Sequence, residues 1–187
     1  MTAITHALSS TRMKRPSQDL VALEGLYRRH HAMVRRLVER FGVEDAWVDD
    51  VTHDVFLEIS RAEPELRPPA RERAWVAGVT RNLVLRHRRN LFRHIRRVHA
   101  VAAEHPTVSH GDQGRTDAAR DLHVLLDQLS EEQRTVFVLS ELEEWTAPEI
   151  AAALGIKLPT VYSRLHAARE ALTRALSRVR ARERGTA

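Results

Sequence analysis

The chain of 187 residues contains no cysteine. Disulfide bonds and thiolate metal sites are therefore excluded, and because the composition suits a reducing compartment we expect a cytoplasmic protein. No continuous apolar run is long enough to act as a signal sequence or to cross a membrane. Residues 1–18 are polar and interrupted by Pro16, which predicts a loose, disordered tail and no membrane insertion. No segment shows the two-residue alternation that is typical of β-strands.

The residues that are present make the chain basic and apolar enough for packed cores. Apolar residues make up 43% of the sequence, and 30 Lys and Arg outnumber 25 Asp and Glu, which gives a net charge of +5. A chain of this length can form one ordinary domain or two small ones. The positive charge favours a polyanionic partner, but charge alone leaves DNA, RNA and anionic lipid open.

Apolar residues recur at helical spacing through most of the chain, which predicts an all-α fold. We expect a helix over 19–41 that ends at Gly42, a second over about 44–60, a proline-rich loop over 63–70, and a third helix over about 71–99 that is continuous or broken once. Residues 98–117 lose the periodicity and predict a flexible linker. Further helices are expected over about 118–130 and, capped by Ser130 and Gln133, over 131–142. The pattern indicates two small helical domains.

The most informative stretch, 145–172, has the pattern of two short helices joined at Gly155. Thr146 and Glu149 have the spacing of a capping box at the start of the first helix. In the second helix an apolar stripe is expected to be buried, namely Val161, Leu165 and Ala168. The residues left facing outward are candidates for reading base edges, namely Tyr162, Ser163, His166 and Ala167. This pattern predicts a helix-turn-helix, although a plain helical hairpin in a small bundle would share it.

Charge changes sign inside the second predicted domain. Between 130 and 149 the only basic residue is Arg134, whereas basic residues dominate from Lys157 to Arg182. The acidic part would be repelled by DNA, so we expect it to face protein or solvent. The basic part is expected to supply phosphate contacts.

A second basic element precedes the predicted linker. Residues 73–103 contain no Asp or Glu while arginines accumulate, unlike an ordinary solvated helix, which mixes both signs. Helical spacing aligns one strip that can follow a phosphate backbone and contact a base edge, namely Asn82, Arg86, Arg89, Arg93 and Arg96. We expect the packing stripe on the opposite side of this helix to be Trp75, Val79 and Leu83. For Trp75 a position in the core is expected at least as strongly as stacking on a base.

Other classes of function fit the same residues less well. Eleven histidines suggest an enzyme, but no phosphate loop, nucleophile motif or metal-binding helix motif is present, and the adjacent His30 and His31 diverge on a helix. We therefore expect no catalytic residue, no metal and no cofactor. A stand-alone helix-turn-helix regulator would need a dimer interface or ligand domain. A nonspecific nucleic-acid-binding protein would not need the acidic residues Glu141, Glu143 and Glu144.

Three motifs together resemble a known family, the extracytoplasmic-function (ECF, group 4) sigma factors of the sigma-70 family, over about 19–180. Residues 49–57, Asp-Asp-Val-Thr-His-Asp-Val-Phe-Leu, are similar to the polymerase-docking helix of that family. Residues 75–83, Trp-Val-Ala-Gly-Val-Thr-Arg-Asn-Leu, are similar to the segment that melts the −10 element. Residues 149–172 are similar to the segment that recognises the −35 element. The resemblance implies a sigma-2-like domain at 19–97, a linker at 98–117, a sigma-4-like domain at 118–182 and a tail at 183–187.

The resemblance also implies a role for each matching residue. Docking to the β and β′ subunits of core RNA polymerase would use Asp50, His53, Asp54, Phe56 and Leu57. The opened −10 strand would be held by Asn82, Arg86, Arg89 and Arg93. The −35 element would be bound by Lys157, Thr160, Tyr162, Ser163, Arg164, His166 and Arg169. The implied function is promoter recognition and strand opening in transcription initiation, with promoter DNA and an anti-sigma factor as further partners.

Overall fold

The protein, described by a computed structural model over residues 16–62, 69–101 and 117–185, is helical in every regular element of those ranges. The helices are α1 (Pro16–Arg40), α2 (Asp45–Arg61), α3 (Pro69–Val101), α4 (Asp117–Leu126), α5 (Glu131–Phe137), α6 (Ala147–Leu154) and α7 (Leu158–Gly185), and a π-helical turn (Val138–Leu142) continues α5. The predicted all-α fold is confirmed. Among the helices in these ranges, none is long and apolar enough to cross a membrane.

Two predicted helix starts shift because prolines begin helices that we expected to start later, and the end of the third helix also lies later than predicted. α1 begins at Pro16, so residues 16–18 belong to a helix and not to the predicted tail, whose residues 1–15 lie outside the described part. α3 begins at Pro69, inside the predicted loop, and runs unbroken to Val101, inside the predicted linker. Proline fits a first helical turn because the backbone N–H it lacks has no helical partner there. Residues 63–68 and 102–116 lie outside the described ranges.

The first half of the chain packs α1, α2 and α3 around an apolar core. Each helix contributes fully buried side chains at helical spacing, including Val34 and Leu37 from α1, Val55 and Ile59 from α2, and Val84 from α3. The predicted stop after α1 is confirmed: Gly42 has φ +96°, and its N–H donates to the carbonyl of Glu39 at 3.0 Å. A side chain at residue 42 would also collide with Arg134, since a Cβ there would lie 2.0 Å from Nη1 of that residue.

The packing stripe of α3 differs from the one we predicted. Val76, Thr80 and Val84 are completely buried. Of the predicted stripe, Leu83 is buried as expected, whereas Trp75 and Val79 are only half-buried. Trp75 precedes Asn82 by seven residues, which is almost two full turns at 3.6 residues per turn, so both lie on the same side of the helix. The buried hydroxyl of Thr80 is satisfied because it donates to the carbonyl of Val76 at 2.8 Å.

In the second half, α4 to α7 surround a core that includes Leu126, Val136 and Leu139. The predicted capping box is present at the start of α5, where the Ser130 N–H donates to Oε1 of Gln133 at 3.1 Å and the Gln133 N–H donates to Oγ of Ser130 at 3.3 Å. Arg134, the only basic residue between 130 and 149, is buried: it is 2% exposed and its side chain forms an ion pair with Asp127. Burial lowers the pKa of its guanidinium, and the hydrogen bond with Asp127 partly offsets that effect.

The two halves pack directly on each other, and their buried apolar residues form one continuous cluster. α3 and α6 approach each other closely at Gly78, where an added Cβ would lie 2.8 Å from the carbonyl oxygen of Ala153. Only glycine fits at position 78 without moving one of the two helices. Trp145, 4% exposed, lies just before α6 with the guanidinium carbon of Arg73 at 4.4 Å from its ring centroid.

Candidate nucleic-acid interface

α6 and α7 form the helix-turn-helix that the sequence predicts. The Thr146 N–H donates to Oε2 of Glu149 at 2.8 Å, and the Thr146 hydroxyl donates to the same oxygen at 2.7 Å. These hydrogen bonds lower the pKa of the Glu149 carboxyl. Gly155 ends α6 in the left-handed region at φ +64°. The turn therefore fixes where α7 starts, because few residues other than glycine adopt this φ readily.

The outward face of α7 matches the prediction in most positions. Val161, Leu165 and Ala168 are buried, while the three side chains predicted to read base edges are exposed, namely Tyr162, Ser163 and His166. Ala167 is half-buried. Tyr162 is 56% exposed, which leaves its ring and hydroxyl free to enter a groove. A helix anchored on one side and polar on the other has the geometry with which helix-turn-helix proteins read the major groove.

The residues predicted to contact phosphates around α7 differ in their surroundings. Lys157 is exposed, whereas Thr160 and Arg164 are half-buried. Arg169 is exposed, but its Nη2 lies 2.6 Å from Oε1 of Glu141 in the π-helical turn. The sequence did not indicate this ion pair between Arg169 and Glu141. Because of it, a DNA phosphate that binds Arg169 would have to displace the carboxylate of Glu141.

The predicted basic strip on α3 is exposed along its described length. The side chains concerned are Asn82, Arg86, Arg89 and Arg93, while the side chain of Arg96 lies outside the described residues. Arg86 is 3.7 Å from a carboxylate oxygen of Glu58 on α2, an exposed pair that stabilises little. The strip thus offers several cations and one amide on a single face, which is the arrangement that a single nucleic-acid strand requires.

Arg81, one residue before the strip, lies at the junction of the halves. It is half-buried, and burial lowers the pKa of its guanidinium. Its charge interacts favourably with Glu131 and Glu132 of α5 and unfavourably with Arg164 of α7. α3, which carries the basic face, packs on α6, and α6 in turn packs on the recognition helix α7.

α2 presents the predicted docking residues on its outer side, with one exception. Asp50, His53, Asp54 and Leu57 are exposed. Phe56 is 6% exposed and so does not form part of the surface, which corrects the prediction that it contacts a partner directly. Its ring packs against that of Tyr27 on α1, with a centroid distance of 4.7 Å. The physical reason is that Phe56 follows Val55 and precedes Ile59 on the buried side of the helix, where a large apolar ring is most stable.

Tyr27 was not singled out in the sequence, yet it provides the exposed aromatic surface at this place. It is 44% exposed and contacts His31 with ring centroids 4.7 Å apart. Tyr27 and His31 are four residues apart on α1, a spacing that places two side chains on one face of a helix. That spacing was visible in the sequence, but the contact with α2 was not.

The acidic segment of the second half was predicted to face protein or solvent, and it does both: Glu143 is buried against the first half, whereas Glu132 and Glu144 are exposed. The side chain of Glu143 is 3% exposed and accepts two hydrogen bonds from Arg36, at 3.1 and 3.0 Å, and one from Arg40 at 2.5 Å. Arg40 also donates to the carbonyl of Leu142, and Arg73 donates to the carbonyl of Glu143. The hydrogen bond with Glu143 raises the pKa of Arg36. We call the contact of Glu143 with Arg36 and Arg40 the inter-half clasp.

Comparison with known proteins places both halves in one family. The sequence model of sigma-70 region 2 matches residues 26–94, and that of sigma-70 region 4 matches residues 119–172. The chain is 31% identical over 158 residues to the ECF RNA polymerase sigma factor SigL of Mycobacterium tuberculosis, covering 82% of this chain and 88% of SigL. It is also 31% identical over 153 residues to the ECF RNA polymerase sigma factor SigE of Mycolicibacterium smegmatis. The aligned residues make up 79% of this chain and only 58% of SigE.

The fold is shared with solved structures of sigma factors. One of them is the sigma factor RpoE in complex with the anti-sigma factor NepR from Bartonella quintana, with a TM-score of 0.61, 20% identity, and coverage of 86% of this chain and 95% of that one. Another is CnrH in complex with the cytosolic domain of CnrY, with a TM-score of 0.62, 25% identity, and coverage of 86% of this chain and 94% of that one.

Proposed function

The chain belongs to the ECF sigma factors of the sigma-70 family, and from this premise we propose how its surfaces divide the work of promoter recognition. It is an RNA polymerase sigma factor, which directs core polymerase to −35 and −10 promoter elements and assists strand opening. We assign it to group 4, to the cytoplasm, and to the proteins without catalytic activity of their own, since the polymerase supplies the chemistry. The matched regions support a sigma-2-like domain at 19–97 and a sigma-4-like domain at 118–182.

One observation carries the assignment of surfaces: among the described residues, basic and polar side chains are exposed along one face of α3 and along one face of α7. The face of α7 reads the −35 element, with base contacts from Tyr162, Ser163 and His166 and phosphate contacts from the residues around them, namely Lys157, Thr160, Arg164 and Arg169. A tyrosine hydroxyl and an imidazole ring do not make the bidentate pair that arginine makes with guanine, so shape and apolar contact contribute to the preference.

The face of α3 holds the opened −10 strand. Asn82 contributes an amide that can donate to and accept from an unpaired base, and Arg86, Arg89 and Arg93 follow the backbone. Because Trp75 lies on the same side as Asn82 and is half-buried, its exposed edge extends this face toward the start of α3. Capture of an extruded base offsets part of the cost of unstacking, which is how a protein without an energy source favours strand opening.

Core polymerase docks on α2. Asp50, His53, Asp54 and Leu57 form the contact surface, and Phe56 supports it from beneath by packing on Tyr27, which continues the surface onto α1. The β and β′ subunits are the partners that the family implies. An anti-sigma factor is a further partner of this chain; the structure of RpoE with NepR supports this proposal by showing one bound to the same fold.

Transcription by core polymerase with and without the protein, with start sites mapped across the genome, tests the function. We expect new start sites that share two sequence elements upstream, and loss of those starts with Asp50→Arg in a protein whose thermal melt is unchanged. Asp121→Arg, the same substitution at an exposed site on α4, is the matched control and should retain activity. A tight, dimeric, sequence-specific footprint made by the free protein, with no polymerase-dependent starts, would instead support the stand-alone regulator.

A further inference from the structure

The inter-half clasp is built as a specific contact and not as an incidental one. Glu143 is buried, and Arg36 binds both of its carboxylate oxygens in a bidentate pair, while Arg40 adds a third hydrogen bond. A buried carboxylate is costly unless it is paired and hydrogen-bonded in this way. Burial also protects the pair from screening by salt.

A second contact holds the halves together independently of charge. α3 and α6 touch at Gly78, where the absent side chain lets the Ala153 carbonyl approach closely. This is the type of close helix approach that a single added methyl group disrupts, since the obstructing atom belongs to the backbone and cannot rotate away. Arg73, which covers the ring of Trp145, extends the same contact toward the start of α6.

This closed arrangement cannot reach two promoter elements at once. Elements centred at −35 and −10 are about 85 Å apart along duplex DNA at ~3.4 Å per base pair. The helices that carry the two reading faces, α3 and α7, both pack on the short helix α6. Packed helices lie about 8–10 Å apart, so α3 and α7 are at most about 20 Å apart where they flank α6, which is a small fraction of 85 Å.

The docking surface for polymerase is not part of the closed contact. α2 packs on α1 and α3, and its residues Asp50, His53, Asp54 and Leu57 remain exposed while the clasp is formed. Polymerase can therefore engage the closed chain before the halves separate.

We infer that the clasp is an autoinhibitory contact: Glu143, held by Arg36 and Arg40, keeps the two promoter-reading halves of the free chain closed, and promoter recognition requires its release. The consequence for promoters rests on the proposed function, whereas the closed state itself does not. Because the chain has no cysteine, spin labels can be placed uniquely at two exposed serines, Ser60→Cys in the first half and Ser177→Cys in the second.

The test is the distance between these labels in the free, full-length protein, measured by pulsed electron paramagnetic resonance. The wild type should give one short, narrow distribution. Glu143→Gln removes the charge and Gly78→Ala separates the helices sterically, so each should raise the population of a longer, broad distribution about tenfold or more, as expected for loss of charged hydrogen bonds or of close packing.

Each variant has a matched control. Glu144→Gln makes the same charge change at the exposed neighbouring residue. Gly25→Ala makes the same substitution within a helix, where the new Cβ would meet only the flexible end of Arg29 at 3.1 Å. Both controls should keep the short distance. Helical circular dichroism establishes that the variants fold, and since alanine favours helix over glycine, Gly78→Ala should not unfold α3.

A second measurement adds core polymerase and a promoter fragment taken from the mapped start sites, and it should lengthen the wild-type distance to that of the open variants. A broad distribution in the free wild type would overturn the closed state, and a distance that stays short in Glu143→Gln would overturn the role of the clasp in holding it. A distance that stays short in an active promoter complex would overturn the inhibitory role. If the chain were no sigma factor, polymerase would yield no new starts while the free-chain distances still reported the clasp.

Discussion

Replacing Phe56 and Tyr27 separately distinguishes a buried support from a docking contact. Phe56 is 6% exposed, so Phe56→Ala removes a buried ring and should lower the free energy of unfolding by about 3–5 kcal/mol. For a chain of this size that corresponds to a fall in melting temperature of about 10 °C. Tyr27 is 44% exposed, so Tyr27→Ala removes only about half of the buried area of a large side chain. It should lower the free energy of unfolding by only about 1 kcal/mol.

Polymerase binding should show the opposite order once folded protein is compared at low temperature. Tyr27→Ala should weaken binding to core polymerase about 30-fold, the effect of losing an aromatic anchor worth ~2 kcal/mol. The assay pairs a thermal melt with equilibrium binding to immobilised core polymerase. Val21→Ala is the control, since Val21 is a 69% exposed apolar residue on the same helix and should change neither quantity.

Two results would refute this reasoning. If Phe56→Ala lost polymerase binding with an unchanged melting temperature, its ring would contact polymerase directly and the burial of Phe56 would not describe the bound state. If Tyr27→Ala bound polymerase like wild type, the docking surface would end at α2 and would not continue onto α1.

The other predictions concern DNA contacts and pH. Tyr162→Ala and His166→Ala should each change the base preferred at one −35 position by about 1–3 kcal/mol, measured by transcription of a randomised −35 library; an unchanged preference would mean that α7 presents a different face to DNA. The second prediction replaces three arginines of the α3 strip with alanine, namely Arg86, Arg89 and Arg93. The variant should form fewer open complexes, and the slope of log binding constant against log salt concentration should become shallower by about 0.7 for each lost contact with the single strand. An unaltered slope would place the strip away from DNA. The third prediction concerns pH. The pKa of the Glu149 carboxyl is lowered in the folded protein, so its ionised form stabilises the fold at any pH above the ordinary carboxyl pKa. This stabilisation is lost as the pH falls through the lowered pKa. The melting temperatures of wild type and Glu149→Gln should therefore differ at neutral pH and converge in acid, and a constant difference would contradict the role of its charge.

The sequence by itself determined the local structure and much of the surface. Capping boxes at Ser130 and Thr146 and the positive φ of Gly42 and Gly155 involve only residues a few positions apart, so their residue types suffice to predict them. The exposed face of α7 followed from helical periodicity in the same way. Patterns of this kind are reliable because backbone hydrogen bonds and helical spacing act within about one turn.

Only the tertiary structure decided which faces meet. Arg36 and Glu143 are 107 residues apart in the sequence, and no local pattern links them. The burial of Phe56 depends on the position of Tyr27 on another helix, and the stripe of α3 is centred on Val76 and Val84 because α3 packs on α1 and α2 on one side and on α6 on another. An amphipathic pattern shows that a helix has a buried side, but the register of that side and the partners of buried charges depend on helices whose positions are set by the packing of the whole chain.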